Sequence, residues 1–447
     1  MRLKRFRLSR AALATGLAMG LMLGGPLAAH AQSLQELYEA ARAYDATYLG
    51  AKALADSAQY KAEQSEALAR PSAALAGSAN AQQLDPPKYE RGSINTGSAA
   101  LNGRYTLFNR SNDATIAQAR RGLVSAQADL DAAEQDLIVR LAQAYFDVLA
   151  AQDSLATTRA SKTAITEQLA SAKRNFEVGT ATITDTREAQ ARYDLATAQE
   201  LAAENDLRTK RLALDTFVGR TGVTPKPLVV PVVLPPPVPG NAEEWVTNGD
   251  ALHPSVRKAR VGLEVATLEI QKARAGGLPT LDANASVGAS RSSGSSITIT
   301  APGTSRSASI GVNLNWPLYT GGLVQNSVSE KLLLEEKARN DLEAARRGVA
   351  QGARVAFFGV QSGLSQVLAL EAAESSSKLA LEATQLGYKV GVRVNLDVLN
   401  AQTQLFTTQR DLAKARYDVV VNGLKLRQAS GQLGAGDVDA VNRLLAK

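Results

Sequence analysis

The chain of 447 residues contains no cysteine. That absence excludes disulfides, zinc–thiolate sites, thiol catalysis and lipid attachment through an N-terminal cysteine. Histidine is almost as scarce. His30 and His253 are the two present, too few for a histidine-based metal cluster. Beyond residue 31 there is no uninterrupted apolar run of 18 residues, and the most hydrophobic later stretch, 229–238, is broken by Pro231, Pro235, Pro236 and Pro237. A spanning helix needs about 20 apolar residues. The chain after residue 31 therefore lies in water or enters a membrane as β-structure, because only helices and closed barrels satisfy every backbone group in lipid. No G-x-S-x-G or H-E-x-x-H motif occurs, and no nucleophile sits beside a base. The sequence does not read as an enzyme, and it offers no catalytic, cofactor-binding or metal-ligating set.

What is present begins with charge. A formal net charge of +7 invites a nucleic-acid partner, but Arg2, Lys4, Arg5, Arg7 and Arg10 all precede the first acidic residue, Glu36. Without that segment the balance falls to +2, so no nucleic-acid surface is implied. Residues 1–10 are basic, 11–25 small and apolar, and Ala29-His30-Ala31 forms an A-x-A site. This is the order of a cleaved secretory signal over 1–31, too short in its apolar part to anchor. Export of a chain without cysteine suits a bacterial envelope protein.

Proline placement divides the rest. None occurs between Pro87 and Pro225, none follows Pro317, and seven of the fifteen fall between Pro225 and Pro239. The proline-free stretches are rich in good helix formers. They predict very long helices over about 111–175 and 321–388, with returning helices over 182–218 and 395–430. In the first, Leu130, Leu137, Ala144 and Ala151 alternate with Glu134, Leu141, Val148 and Leu155 at coiled-coil spacing, one polar position in eight. The halves repeat at nearly constant offset. Pro71 matches Pro279, Tyr105-Thr106-Leu107-Phe108 matches Trp316-Pro317-Leu318-Tyr319, and Phe176-Glu177-Val178-Gly179 matches Tyr388-Lys389-Val390-Gly391. The expected organisation is a first repeat over 32–224, a Pro-rich connector over 225–249, a second repeat over 250–432 and a C-terminal segment over 433–447.

Each repeat also carries a strand pair. Leu281, Ala283, Ala285, Val287 and Ala289 alternate with Asp282, Asn284, Ser286, Gly288 and Ser290; Ala308, Ile310, Val312 and Leu314 alternate with Ser309, Gly311 and Asn313. Such segments suit membrane strands with lipid on one face and water on the other. The predicted strands are 280–290 and 307–317 with an exposed loop over 291–307, preceded by a weaker pair over 72–84 and 95–108. Tyr105, Phe108, Trp316 and Tyr319 fall at strand ends, where an aromatic girdle would lie. Four strands cannot close a barrel. Two chains would supply eight and three would supply twelve, and periodicity does not choose between them. The fold class is mainly α with a membrane β-barrel.

The ordered set Arg174-Asn175-Phe176-Glu177-Val178-Gly179, Ile183-Thr184-Asp185, Leu278-Pro279-Thr280-Leu281-Asp282, Trp316-Pro317-Leu318-Tyr319-Thr320-Gly321-Gly322, Gly387-Tyr388-Lys389-Val390-Gly391, Asp397-Val398-Leu399 and Ala415-Arg416-Tyr417 resembles the TolC family of outer-membrane channels over essentially the whole chain after residue 31. The resemblance implies a homotrimer with a twelve-stranded barrel in outer-membrane lipid and a helical tunnel in the periplasm. Pro71, Pro279 and Pro317 would form the corners between them, and the Pro-rich connector and C-terminal segment an equatorial belt. It implies an exit duct for tripartite efflux or type I secretion. The partners would be a periplasmic adaptor and an inner-membrane transporter of the RND, ABC or MFS type. By the same carry-over, Val178, Gly179, Val390 and Gly391 would be adaptor-docking tips. Asp397 and Asn400 would line the periplasmic constriction, with Asn400 replacing a second acidic ring. Tyr388 and Arg393 would lock one helix pair to the other through Asp185 and Thr184. The alternative is a periplasmic adaptor-like coiled-coil protein without channel activity, which would need soluble β-rich domains in place of the alternating strands.

Overall fold

The computed structural model describes residues 31–85, 92–229, 231–295 and 302–446, so the signal segment expected over 1–31 lies almost wholly outside the described residues. Two helices dominate. α3, Arg110–Glu177, runs for 68 residues and α7, Leu323–Lys389, for 67, each about 100 Å at ~1.5 Å per residue. The Asn109 side chain starts α3 by accepting the backbone N–H groups of Ser111 and Asn112, and no proline interrupts either helix. α4, Ile183–Val218, returns along α3, and α8, Asn395–Ala429, returns along α7.

Shorter helices extend both pairs. α1, Leu34–Tyr44, and α2, Ala46–Glu66, meet at Asp45; α5, Ala242–Leu252, and α6, Pro254–Ala275, meet at His253. The two corners are the same device built from different chemistry. Asp45 accepts the Tyr48 N–H at 2.7 Å, and the His253 Nδ1 accepts the Ser255 N–H at 3.1 Å. In each case one residue ends one helix and caps the next. Burial alone would raise the Asp45 carboxyl, but that N–H and the Arg140 guanidinium hold it below the usual carboxylate range. Burial pushes the His253 imidazole below its ordinary value.

Where the helices meet at mid-length they bury one large core. Leu137, Leu141, Val148, Ala151 and Leu155 of the expected heptad stripe are buried, with Leu130 and Ala144 packed against its edge. The one polar stripe position, Glu134, accepts the Tyr38 hydroxyl at 2.6 Å. Tyr145 and Phe146 sit at the centre, edge to face, and Phe146 stacks on Tyr417 of α8 at 5.7 Å. The Tyr145 hydroxyl donates to the carbonyls of Gln32 and Lys226, and the Tyr417 hydroxyl to Asp153. The connector is thereby clamped from two sides: Gln32 bridges Pro225, and Leu228 bridges Leu445 just past α9, Ala435–Asn442.

Four antiparallel strands rise from the other end of the helices: β1, Ser72–Leu84; β2, Gly92–Phe108; β3, Thr280–Ser295; β4, Gly303–Asn315. They form one sheet in chain order, so β1 and β4 are edges with no strand partner among the described residues. Pro71 and Pro279 immediately precede β1 and β3, and Pro317 lies between β4 and α7. The second hairpin is longer than its hydrophobic alternation suggests. Pairing continues to Ser292 opposite Gly303, through much of the stretch expected as a loop. Small hydroxyl residues sustain a ladder without an apolar face to mark it; Ser290 and Ser305 bond across the strands at 2.8 Å. Register puts Leu75, Leu101, Val287 and Ala308 in one row on the apolar face, and Ser78, Ser98, Ser290 and Ser305 in one row on the polar face.

The two corners should respond differently to mild acid. A histidine whose pKa is lowered on folding contributes stability that is full above about 6.5 and is lost as pH falls through the folded value. Asp45, also lowered, keeps its contribution until pH falls below about 4. Amide protection, taken relative to the intrinsic exchange rate at each pH, should therefore fall between pH ~7 and ~5 at Ser255–Arg257 but not at Thr47–Leu49. His253→Asn, a cap that does not titrate, should remove the difference.

Candidate gate and channel elements

The far ends of the two long helices close in turns of the same geometry. After α3, the N–H of Val178 reaches the Arg174 carbonyl, Gly179 reaches Phe176, and Thr180 and Ala181 both reach Asn175. After α7, Val390 reaches Leu386, Gly391 reaches Tyr388, and Val392 and Arg393 both reach Gly387. The second set is the first displaced by 212 positions, the offset seen in the sequence. Gly179 and Gly391 hold φ of +78° and +80°, left-handed conformations that glycine adopts without steric cost. Val178 and Val390 stand exposed beside them.

The helices leaving the turns start differently. Thr182 caps α4 in a full capping box: its Oγ1 accepts the Asp185 N–H, and Asp185 accepts the Thr182 N–H at 3.0 Å and its hydroxyl at 2.8 Å. α8 starts at Val394, which has no capping oxygen. Asp397 in its first turn complements the helix dipole and lies 3.6 Å from the Arg393 guanidinium. The Arg393 side chain folds over Gly387, where a Cβ would approach its Cγ to 2.8 Å.

These contacts correct the expected pairing between the helix pairs. Asp185 is taken up by the α4 cap, Thr184 is exposed, and Arg393 turns back to Asp397 on its own hairpin. The Tyr388 hydroxyl does reach the other pair, but its partner is Asn175, whose Nδ2 donates at 3.2 Å. Two more bonds cross at this end. The Gln168 amide donates to the Asn395 Oδ1, and Arg192 donates to the Asn400 Oδ1 at 3.0 Å. Between them Leu399 is buried among Ile165, Leu169, Ala172, Ala189 and Ala196 of the first pair. No sequence pattern marks Gln168, Arg192 or Asn395, and Asn175 lies in the first turn motif without a partner being readable from it. Each is an ordinary polar residue on a helix, and only the facing of the two hairpins brings them together.

Asp397 is half-exposed and Asn400 exposed, while Val398 and Leu399 between them are buried. The helix thus presents these two polar residues away from the apolar seam, while Asn395 and Gln402 are buried. At the other end of the molecule, Arg104 and Thr106 both hold Asp282, at 2.9 and 2.8 Å, on the polar face where the sheet meets the helices.

Known proteins share this arrangement. The sequence pattern of the family described as "Outer membrane efflux protein" matches residues 29–220 and 249–432, one match in each repeat. The outer membrane protein TolC of Vibrio cholerae is 33% identical over 412 residues, covering 92% of this chain and 93% of that protein. The alkaline protease secretion protein AprF of Pseudomonas aeruginosa is 32% identical over 315 residues, covering 69% and 64%. Among solved structures, the outer membrane protein VceC of Vibrio cholerae superposes with a TM-score of 0.76 at 20% identity, over 89% of this chain and 96% of that one. Its likeness shows the fold. A coiled-coil adaptor finds no support beside these matches. The chain belongs to the TolC family of outer membrane efflux proteins, and it is a channel of the outer membrane for efflux or secretion rather than an enzyme.

Proposed function

We infer that three copies close a twelve-stranded barrel and continue it as a helical tunnel into the periplasm. This duct would be opened at its far end by a periplasmic adaptor and an energised inner-membrane transporter. One observation carries the reading: the sheet has two open edges and an apolar face, on helices of about 100 Å. Open edges are not tolerated in lipid. α7 likewise exposes Leu333, Val355, Phe358, Leu368 and Leu379 in the single chain, an apolar row that neighbouring copies would cover. Three copies are favoured over two by family membership. Cleavage after Ala31 fits the engagement of Gln32, whose N–H donates to the Thr224 carbonyl and whose carbonyl accepts from Lys226 at the start of the connector.

The gate in this reading is the set of polar contacts between α8 with its tip and the first helix pair: Gln168–Asn395, Asn175–Tyr388 and Arg192–Asn400. The two neutral bonds contribute about 0.5–1.5 kcal/mol net each and the guanidinium bond up to about 3 kcal/mol, so a docking adaptor can offset their loss. Val178, Gly179, Val390 and Gly391 are the surface it would approach. Asp397, repeated about a three-fold axis, would supply one ring of carboxylates that favours cations. Arg393 beside each carboxylate softens its charge. Cargo choice would rest with the transporter.

Asn175→Ala with Tyr388→Phe and Arg192→Ala should raise single-channel conductance in planar bilayers severalfold; an unchanged conductance counts against the lock. Asp397→Ala should weaken block by added trivalent cations from the periplasmic side, and Arg393→Ser should strengthen it. Block that ignores both substitutions would place the cation site elsewhere.

A further inference from the structure

The outward face of the sheet carries its charge at one end only. Register assigns Leu281, Ala283, Ala285, Val287 and Ala289 of β3 to that face, with Leu314, Val312, Ile310 and Ala308 of β4 beside them. The next outward positions are Arg306, opposite Ala289, and Arg291, opposite Thr304. They are diagonal neighbours on adjacent strands, close enough for their heads to share a ligand. Both side chains are exposed, and among the described residues neither has an acidic or hydrogen-bonding partner. The other charged residues of the described strands, Arg104 and Asp282, pair with each other on the polar face.

Height identifies what these arginines meet, on the reading that the sheet is part of an outer-membrane barrel. Ten residues separate Arg306 from Trp316 at the helix end, about 33 Å along a strand and roughly 25 Å of height at a tilt near 40°. That is the thickness of the apolar band on such barrels. Trp316, Tyr319 and Tyr105 mark its periplasmic edge, so Arg291 and Arg306 stand at its outer edge, where an arginine is tolerated, whereas at mid-band it would be strongly destabilising. Two unpaired cations held side by side repel each other unless an anion lies between them.

The surface around them is also shaped. A groove of about 530 Å³ runs over the face beside Leu75, Leu101, Val287 and Ala308 and ends at Arg306. Level with the arginines the first two strands offer only Gly77, Ala79, Gly97 and Ala99, and a Cβ at Gly97 would meet nothing within 4 Å. An apolar trough thus leads to a flat shelf flanked by two guanidinium groups. We propose that Arg291 and Arg306 bind the phosphate groups of an outer-leaflet glycolipid whose acyl chain lies in the groove, one such site on each copy of the chain. Guanidinium forks match phosphate in a bidentate geometry, while the groove accepts the hydrocarbon that a free phosphate lacks.

The test is native mass spectrometry of the detergent-extracted full chain with bisphosphorylated lipid A, beside the double variant Arg291→Gln/Arg306→Gln. Wild type should retain the lipid at least about tenfold more tightly than the variant, and should lose that advantage with dephosphorylated lipid A. Inorganic phosphate at the same phosphate concentration should fail to displace it. Equal retention by wild type and variant overturns the site, as does complete displacement by inorganic phosphate, which would make it a free-anion site. Heat-modifiable migration of both proteins separates failure of the site from failure of the barrel: if both form heat-modifiable oligomers and retain lipid equally, the arginine site falls and the channel stands. If wild type forms none and enters no vesicle, the barrel reading falls and the site with it.

Discussion

A sheet in lipid cannot leave its edges bare, and most of this molecule follows from that requirement. Four strands are too few to close a barrel on their own. On the proposed reading the chain meets copies of itself, and a shared barrel demands that each copy contribute the same sheet at the same height. Two strand hairpins set side by side, each carried by a long helix pair, meet that demand by duplication. The pairing of β2 with β3 joins the two repeats within one sheet. The aromatic core around Tyr145, Phe146 and Tyr417 joins them again at mid-length.

Duplication fixed the shapes and left the chemistry free to diverge. The turns after α3 and α7 repeat hydrogen bond for hydrogen bond, yet one of the helices that follow is fully capped and the other is not. The corners at Asp45 and His253 cap their helices alike with groups of different acidity. The two hairpins are equivalent in backbone and unequal in how firmly each helix is started. That inequality sits where one hairpin must part from the other if the channel opens by separating them.

Much of this was legible in the sequence, for physical reasons that can be named. The absence of proline announced the long helices, because proline is intolerable inside them. Period-two alternation announced the strands, because lipid and water lie on opposite faces. Paired glycines announced the turns. The limits are equally specific. Ser292 and Gly303 extend the second hairpin without any apolar signal, so alternation placed its end too early. The partner of Tyr388 is Asn175 rather than Asp185, because hydrogen bonds between hairpins depend on their facing, which no local pattern encodes. The core position of Tyr145, bonded to two carbonyls from distant segments, is of the same kind.

The length of α3 has a mechanical consequence. Its buried section around Tyr145 lies about 50 Å from the turn at Val178, at ~1.5 Å per residue. With that section as a fulcrum, a tilt of about 3° moves the turn by roughly 2.5 Å, enough to break a hydrogen bond near 3 Å. The amides and guanidinium at the tip act as catches at the long end of a lever. Small angular adjustments in the middle of the molecule are magnified there, without any helix having to bend.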